Sequence, residues 1–178
     1  EHGIEAVPFA HEKMDEWRNN FKGIRFINEE AGYNFGGAVD DIWQKPSGEL
    51  IVVDVKSTSK NVFDWEDTYS KWEYAKGYQR QLEMYQWLLE KNGFEVASEG
   101  YLVYYNGKKH EPMFNQQLTF DLHLVRLECD NSWVEEAVLN AKNTLDGDMP
   151  KPASSCENCN YLRKRWEVSQ KDPSKLID

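Results

Sequence analysis

The stretch Gly36–Lys60, GGAVDDIWQKPSGELIVVDVKSTSK, decides how the chain is read. Two runs flank Pro46, Ser47 and Gly48, which are turn residues. The first run, Asn34 to Trp43, is expected as a strand and carries the adjacent acids Asp40 and Asp41. The second, Leu50 to Val55, is apolar until Asp54, and Lys56 follows. Strand side chains alternate between faces, so Val52, Asp54 and Lys56 are expected on one face and Ile51, Val53 and Val55 on the other. An almost wholly apolar strand implies burial on both faces, and a charge there needs a reason. An acid and a lysine on one face, beside a hairpin partner that brings another acid, form a candidate active site.

The elements around this hairpin follow from periodicity. Met14, Trp17 and Phe21 fall on one helical face after His11, with Gly23 as the stop. Ile24 to Ile27 reads as a short strand and Glu29 to Tyr33 as a turn. Asn61 to Thr68 reads as an acidic loop at the mouth of the site. Tyr69 to Asn92 is the longest helical pattern, with Tyr74, Tyr78, Leu82, Tyr85, Leu88 and Leu89 as its apolar stripe and Gly93 as its end. Gly100 to Tyr105 is a strand, and Asn106-Gly107 is a tight-turn signal. Leu118 to Leu127 is another strand, whose alternation changes phase at Val125, the mark of a bulge or a strand end. Trp133 to Leu145 is a helix with a capping box at Ser132 and Glu135. The tail, residues 151–178, carries Cys156-Glu157-Asn158-Cys159 and the basic run Leu162 to Trp166. This order predicts an α/β fold, a central mixed β-sheet flanked by helices, in one domain over residues 1–178.

Composition narrows the function. With 178 residues, 40% of them apolar, seven Trp and nine Tyr, the chain can bury a substantial core and is not a disordered segment. No apolar run approaches the length of a membrane span. Three cysteines, an odd number, do not make a disulfide framework, so a reducing cytoplasm is the expected compartment. The chain opens at Glu1 without a Met, as expected of a trimmed sequence lacking upstream elements. The net charge of -10 is unlike that of a protein gripping long duplex tracts, so nucleic-acid contact is expected to be local, with a protein partner supplying further grip.

Two carboxylates converging from neighbouring strands repel unless a cation lies between them. Hard oxygen donors select Mg²⁺ or Mn²⁺, and Mg²⁺ commonly takes one or two carboxylates together with waters and substrate phosphate. A lysine beside such an ion can stabilise a phosphoryl transition state. Asp40, Asp54 and Lys56 therefore suit phosphodiester hydrolysis.

These residues carry a resemblance to the PD-(D/E)XK nuclease superfamily, and within it to the RecB-like and CRISPR-associated RecB-like exonuclease branch. Gly37-Ala38-Val39-Asp40 resembles that branch's G-x-x-D, Asp54-Val55-Lys56 its (D/E)-x-K, and Gln81-Leu82-Glu83-Met84-Tyr85 its Q-x-x-x-Y. The resemblance implies a restriction-endonuclease-like core. It implies Asp40, Asp54 and the Val55 carbonyl as metal ligands and Lys56 as a catalytic residue. Gln81 and Tyr85 would position the site and the nucleic-acid backbone. Many relatives add a histidine ligand from the first helix, for which His11 is the candidate. Some hold an iron–sulfur cluster on one cysteine ahead of the core and three behind it. Cys156 and Cys159 would be half of such a cluster site, or of a zinc site, completed from an upstream segment. The implied activity is that of a Mg²⁺- or Mn²⁺-dependent deoxyribonuclease in DNA repair or defence.

Plainer readings stand beside these. Asp40 and Asp41 could be turn residues, with Asp41 directed to the opposite sheet face. Asp54 and Lys56 could be a surface ion pair. Gln81 and Tyr85 could be ordinary helix positions, and the C-x-x-C two thiols. Trp65, Tyr69, Trp72 and Tyr74 either stack on unpaired bases or pack against the fold. The run Leu162 to Trp166 either touches phosphates or is a solvated helix face. The alternative function is a nuclease-fold module that binds nucleic acid or a protein partner without turnover.

Overall fold

The apolar run at Leu50–Val55 forms a strand, as its β-branched composition favours. That strand is the centre of a five-stranded sheet. The computed structural model describes residues 3–110 and 116–171. It comprises two compact units, Glu1–Leu139 and Asn140–Asp178. The elements of the first unit are β1 (Val7–Pro8), α1 (Met14–Trp17), β2 (Ile24–Asn28), β3 (Tyr33–Gly37), β4 (Asp41–Gln44), β5 (Leu50–Thr58), α2 (Trp65–Lys71), α3 (Glu73–Lys91), β6 (Val96–Gly107), β7 (Phe120–Glu128) and the start of α4 (Val134–Asp146). The second unit holds the end of α4 and α5 (Glu157–Lys171). Among the described residues no helix is long and apolar enough to cross a membrane.

The sheet order is β1-β4-β5-β6-β7. β5 pairs antiparallel with β4 and parallel with β6, so the sheet is mixed, as the sequence pattern implies. A parallel neighbour demands a crossover, and α2 and α3 provide it. The alternation along β5 separates two cores. Val52 joins Leu82, Tyr85, Leu88 and Leu89 of α3, with Leu102 and Val125, on one face. Ile51 and Val53 join Ala97, Tyr101 and Val103 on the other. Asp54 and Lys56 continue the Val52 face and so lie toward α3.

Several predicted elements are corrected. Asn34–Trp43 is not one strand. β3 pairs with β2 in a separate two-stranded sheet, and β4 pairs with β5, leaving Ala38–Asp40 as the link between them. The helix after His11 is a single turn. The Asn19 carboxamide oxygen accepts the Phe21 N–H at 2.9 Å and ends it, and Phe21 is 91% exposed. Asn61–Thr68 is not wholly a loop, because α2 starts at Trp65, with the Asp64 carboxylate capping the Asp67 N–H at 2.9 Å. Trp72 then adopts an extended backbone (φ -124, ψ 118), which divides the expected long helix into α2 and α3. Asn106-Gly107 is strand, not turn. The buried Asn106 side chain bonds the Lys60 N–H and C=O at 2.8 and 3.0 Å. β7 pairs with β6 in unbroken register from Phe120 to Glu128. Its phase change is therefore no bulge: Val125 and Leu127 meet the α3-side core, whereas Leu124 meets the other. Glu135 pairs with Lys91 at 2.8 Å, an ion pair in place of the expected capping box.

Candidate active site

The chain positions its two acids by different means. Asp54 is held rigidly in β5, opposite Leu102 of β6. Asp40 is held in the link before β4. There the Val39 N–H donates to the Trp17 carbonyl at 3.1 Å, and the Arg18 guanidinium donates to the Asp40 carbonyl at 3.1 Å. β4 pairs with β5 only as far as Asp41 and Val53, so among the described residues the edge of β5 beyond Val53 faces no strand on that side. The Asp40 carboxylate takes the partner's place and accepts the Val55 N–H at 2.8 Å. The N–H and C=O of a strand residue point to the same side, so the Val55 carbonyl faces the same open edge as Asp40.

Asp41 has different work. Its carboxylate binds the Arg18 guanidinium, its own neighbour's N–H at Ile42 (2.9 Å) and the Trp43 indole N–H (3.3 Å). It is the one of the adjacent pair that braces the fold.

Lys56 stands on the Asp54 face. Its ammonium lies 2.5 Å from Asp54 Oδ2, donates to Gln81 Oε1 at 3.1 Å and sits 4.6 Å from the centre of the Tyr78 ring. Gln81 Nε2 in turn donates to the Tyr85 hydroxyl at 2.9 Å. Tyr74, Tyr78, Gln81 and Tyr85 recur at helical spacing on α3, so one face of that helix serves the lysine. The structure thus gathers Asp40, Asp54, Lys56, Gln81 and Tyr85 around the far end of β5.

Two buried carboxylates on this side of the sheet make an instructive contrast. Glu83 of α3 accepts hydrogen bonds from Gln79 Nε2 (3.0 Å), the Asp130 N–H (3.2 Å) and the Trp133 indole (2.7 Å). Its charge is met by donors, and its work is to fasten α3 to the chain before α4. Asp54 is 2% exposed, and its Oδ2 is met by a single side chain, the Lys56 ammonium at 2.5 Å. Burial pushes the Asp54 carboxyl above the ordinary aspartate range; Lys56 opposes the shift and the charge of Asp40 adds to it. The Tyr85 hydroxyl is also pushed up, by burial first and by the Asp54 and Asp40 charges. A buried acid whose pKa is raised, paired with a lysine beside a second acid, is the environment expected of a functional group.

The Asp40 and Asp54 carboxylates are hard oxygen donors, the ligand type that Mg²⁺ and Mn²⁺ take. Among the described residues no group of three or more His, Cys, Asp or Glu could hold a metal ion. Two carboxylates and a backbone carbonyl match the modest protein donor set with which Mg²⁺ is usually held. His11 is not brought to the acids. Its ring stacks on Trp17 (4.7 Å) and Phe9 (5.6 Å), and its Nδ1 accepts the Lys13 N–H at 3.2 Å. In the second unit, the Cys159 N–H donates to Cys156 Sγ at 3.2 Å, and the hydrogen bond from Cys159 lowers the Cys156 pKa. Cys129, in the first unit, is pushed up to about 12 by burial.

Some contributors were not legible in sequence. Tyr78 cradles Lys56, and its spacing with Tyr74, Gln81 and Tyr85 was the available signal. The brace from Arg18 to Asp40 crosses 22 positions and has no local signature. Gly37 matters by what it lacks: a Cβ there would lie 2.7 Å from Tyr85 Cε1. Gly37→Ala is therefore expected to displace the Tyr85 ring and cost about 1–3 kcal/mol of stability. Activity is expected to fall further than folding does, since Tyr85 fixes Gln81. Thermal unfolding and cleavage rates measured on the same variant check this, and an unchanged melting temperature would contradict it.

Comparison with known proteins places this geometry. No curated protein matches the chain. A solved structure, the crystal structure of SSO0001, aligns at 18% identity and a TM-score of 0.37, over 76% of this chain and 52% of that one. The chain spans about half the length of that protein, and a likeness so distant carries no argument. The PD-(D/E)XK nuclease superfamily model matches residues 4–163, a span that takes in both acids, the lysine and the helix behind it. The chain belongs to the PD-(D/E)XK nuclease superfamily.

Proposed function

We propose that this chain is a Mg²⁺- or Mn²⁺-dependent nuclease that hydrolyses phosphodiester bonds in DNA, of the RecB-like branch that serves repair or defence. The observation that carries the reading is the cluster at the far end of β5: the buried Asp54 carboxylate, the Lys56 ammonium 2.5 Å from it, and Asp40 beside it on the open strand edge. Asp40, Asp54 and the Val55 carbonyl would hold the ion. A divalent cation there supplies Lewis-acid chemistry, lowering the pKa of a water and neutralising charge on phosphoryl oxygens.

The remaining work belongs to the chain's own side chains. Lys56, fixed by Gln81 and Tyr78, presents a positive charge to the phosphate as negative charge builds on its oxygens. Gln81, fixed by Tyr85, gives the ammonium a second acceptor beside Asp54. In the hydrolysis the water oxygen bonds to phosphorus, the bond from phosphorus to the leaving oxygen breaks, and that oxygen takes up a proton. With a net charge of -10, the chain leaves most of the grip on the nucleic-acid backbone to a partner.

Incubation with labelled single-stranded and duplex DNA tests the reading. Cleavage is expected with Mg²⁺ or Mn²⁺ and is expected to stop with EDTA. Binding of DNA with no metal-dependent cleavage of any DNA or RNA would favour a non-catalytic module instead.

A further inference from the structure

We propose that the substrate enters as an unpaired DNA strand whose bases stack on an exposed aromatic ledge, Trp72 and Tyr74, leading to Lys56. The inference rests on the nuclease reading and extends it to the form of the substrate. The aromatic residues around α2 fall into two sets. Phe63 stacks on His123 at 4.2 Å and meets Tyr104 at 4.9 Å. Trp65 lies 5.8 Å from Tyr104 and 5.7 Å from Tyr69, whose hydroxyl donates to Gln79 at 2.7 Å. Packing accounts for these rings. It does not account for Trp72 and Tyr74, which are 54% and 45% exposed.

Their position is connected to the chemistry. The Trp72 and Tyr74 rings are 6.1 Å apart, Tyr74 meets Tyr78 at 5.7 Å, and the Tyr78 ring lies under the Lys56 ammonium at 4.6 Å. A continuous run of rings therefore leads from solvent to the lysine. Trp72 is held there by the extended break between α2 and α3, its N–H donating to the Thr68 carbonyl at 3.0 Å. It is the continuity of these rings with the lysine, rather than their exposure alone, that makes them a surface on which bases can stack.

Charge selects the occupant. Duplex binding draws mainly on phosphate neutralisation, which a chain of net charge -10 supplies poorly. Stacking on a ring is sequence-tolerant and needs no basic surface, but it requires an exposed base face. A duplex hides those faces; an unpaired strand offers them. Two acids near the ledge are engaged: Glu73 pairs with Lys76 and Arg80, and Asp67 with Lys71. They therefore oppose a passing phosphate less than free acids would.

The test uses the full chain in EDTA, where binding is read without cleavage. The probes are a fluorescein-labelled oligothymidylate and a hairpin duplex with as many nucleotides. Wild type is expected to prefer the single strand, with a shallow salt dependence. Trp72→Ala and Tyr74→Ala are each expected to weaken single-strand binding about 10-fold, with Trp72→Phe retaining part of the affinity. Both side chains are exposed, and circular dichroism checks each fold. Equal affinity for strand and duplex, unaltered binding in the double variant, or no saturable binding of the oligonucleotide would overturn the proposal. Cleavage assays separate it from the nuclease reading. Metal-dependent cleavage that the double variant retains in full on single strands sinks the ledge alone. Selective single-strand binding lost in the variants, with no cleavage under any metal, supports the ledge and sinks the nuclease.

Discussion

Lys56→Ala is expected to reduce metal-dependent DNA cleavage by about 10²–10³-fold, the usual cost of removing one pre-positioned group that stabilises transition-state charge. The expectation follows from how tightly this ammonium is placed, between Asp54 Oδ2 at 2.5 Å, Gln81 Oε1 at 3.1 Å and the Tyr78 ring. The same variant is expected to lose stability, because removing one member of a buried pair leaves the other charge uncompensated, at about 3–5 kcal/mol. Rates therefore belong to temperatures where circular dichroism shows the variant folded. Lys56→Arg is not expected to rescue, since a planar guanidinium does not fit the site of a compact ammonium. Wild-type cleavage by folded Lys56→Ala protein would remove the lysine from the chemistry.

Asp54→Asn is expected to weaken Mn²⁺ binding by about 100-fold or more, beyond the tenfold to hundredfold that losing an outer-shell partner costs. The substitution keeps the shape of the side chain and removes the buried charge that burial already strains. Calorimetry reads the affinity directly. Thermal unfolding gives a second readout: a cation at 100 times its dissociation constant stabilises wild type by about 2.7 kcal/mol, and the variant is expected to gain almost nothing. Equal Mn²⁺ affinity in both proteins would refute Asp54 as a ligand.

The part of the fold that sets the site was readable because its signals were local. Leu50–Val55 is unbroken and apolar, its turn is marked by Pro46 and Gly48, and period-2 alternation alone puts Val52, Asp54 and Lys56 on one face. The spacing of Gln81 and Tyr85 carried over to α3 for the same reason. What failed depended on partners far away in sequence. Nothing in Asn34–Trp43 states that its first half pairs with β2 and its second with β5; Gly36 and Gly37 only permit the change. The turn propensity of Asn106-Gly107 lost to side-chain bonds from Asn106 to Lys60, 46 positions away. The start of α2 does have a local signal, because Asp64 with Asp67 three residues on is a capping pattern. The break at Trp72 has neither Gly nor Pro to announce it.

A crystal of the full chain soaked in Mn²⁺ tests the central claim most directly. Anomalous density is expected between the Asp40 and Asp54 carboxylates, within bonding distance of the Val55 carbonyl, and is expected to vanish in Asp54→Asn crystals. Density found only at Cys156 and Cys159, with none at the two acids, would contradict the account.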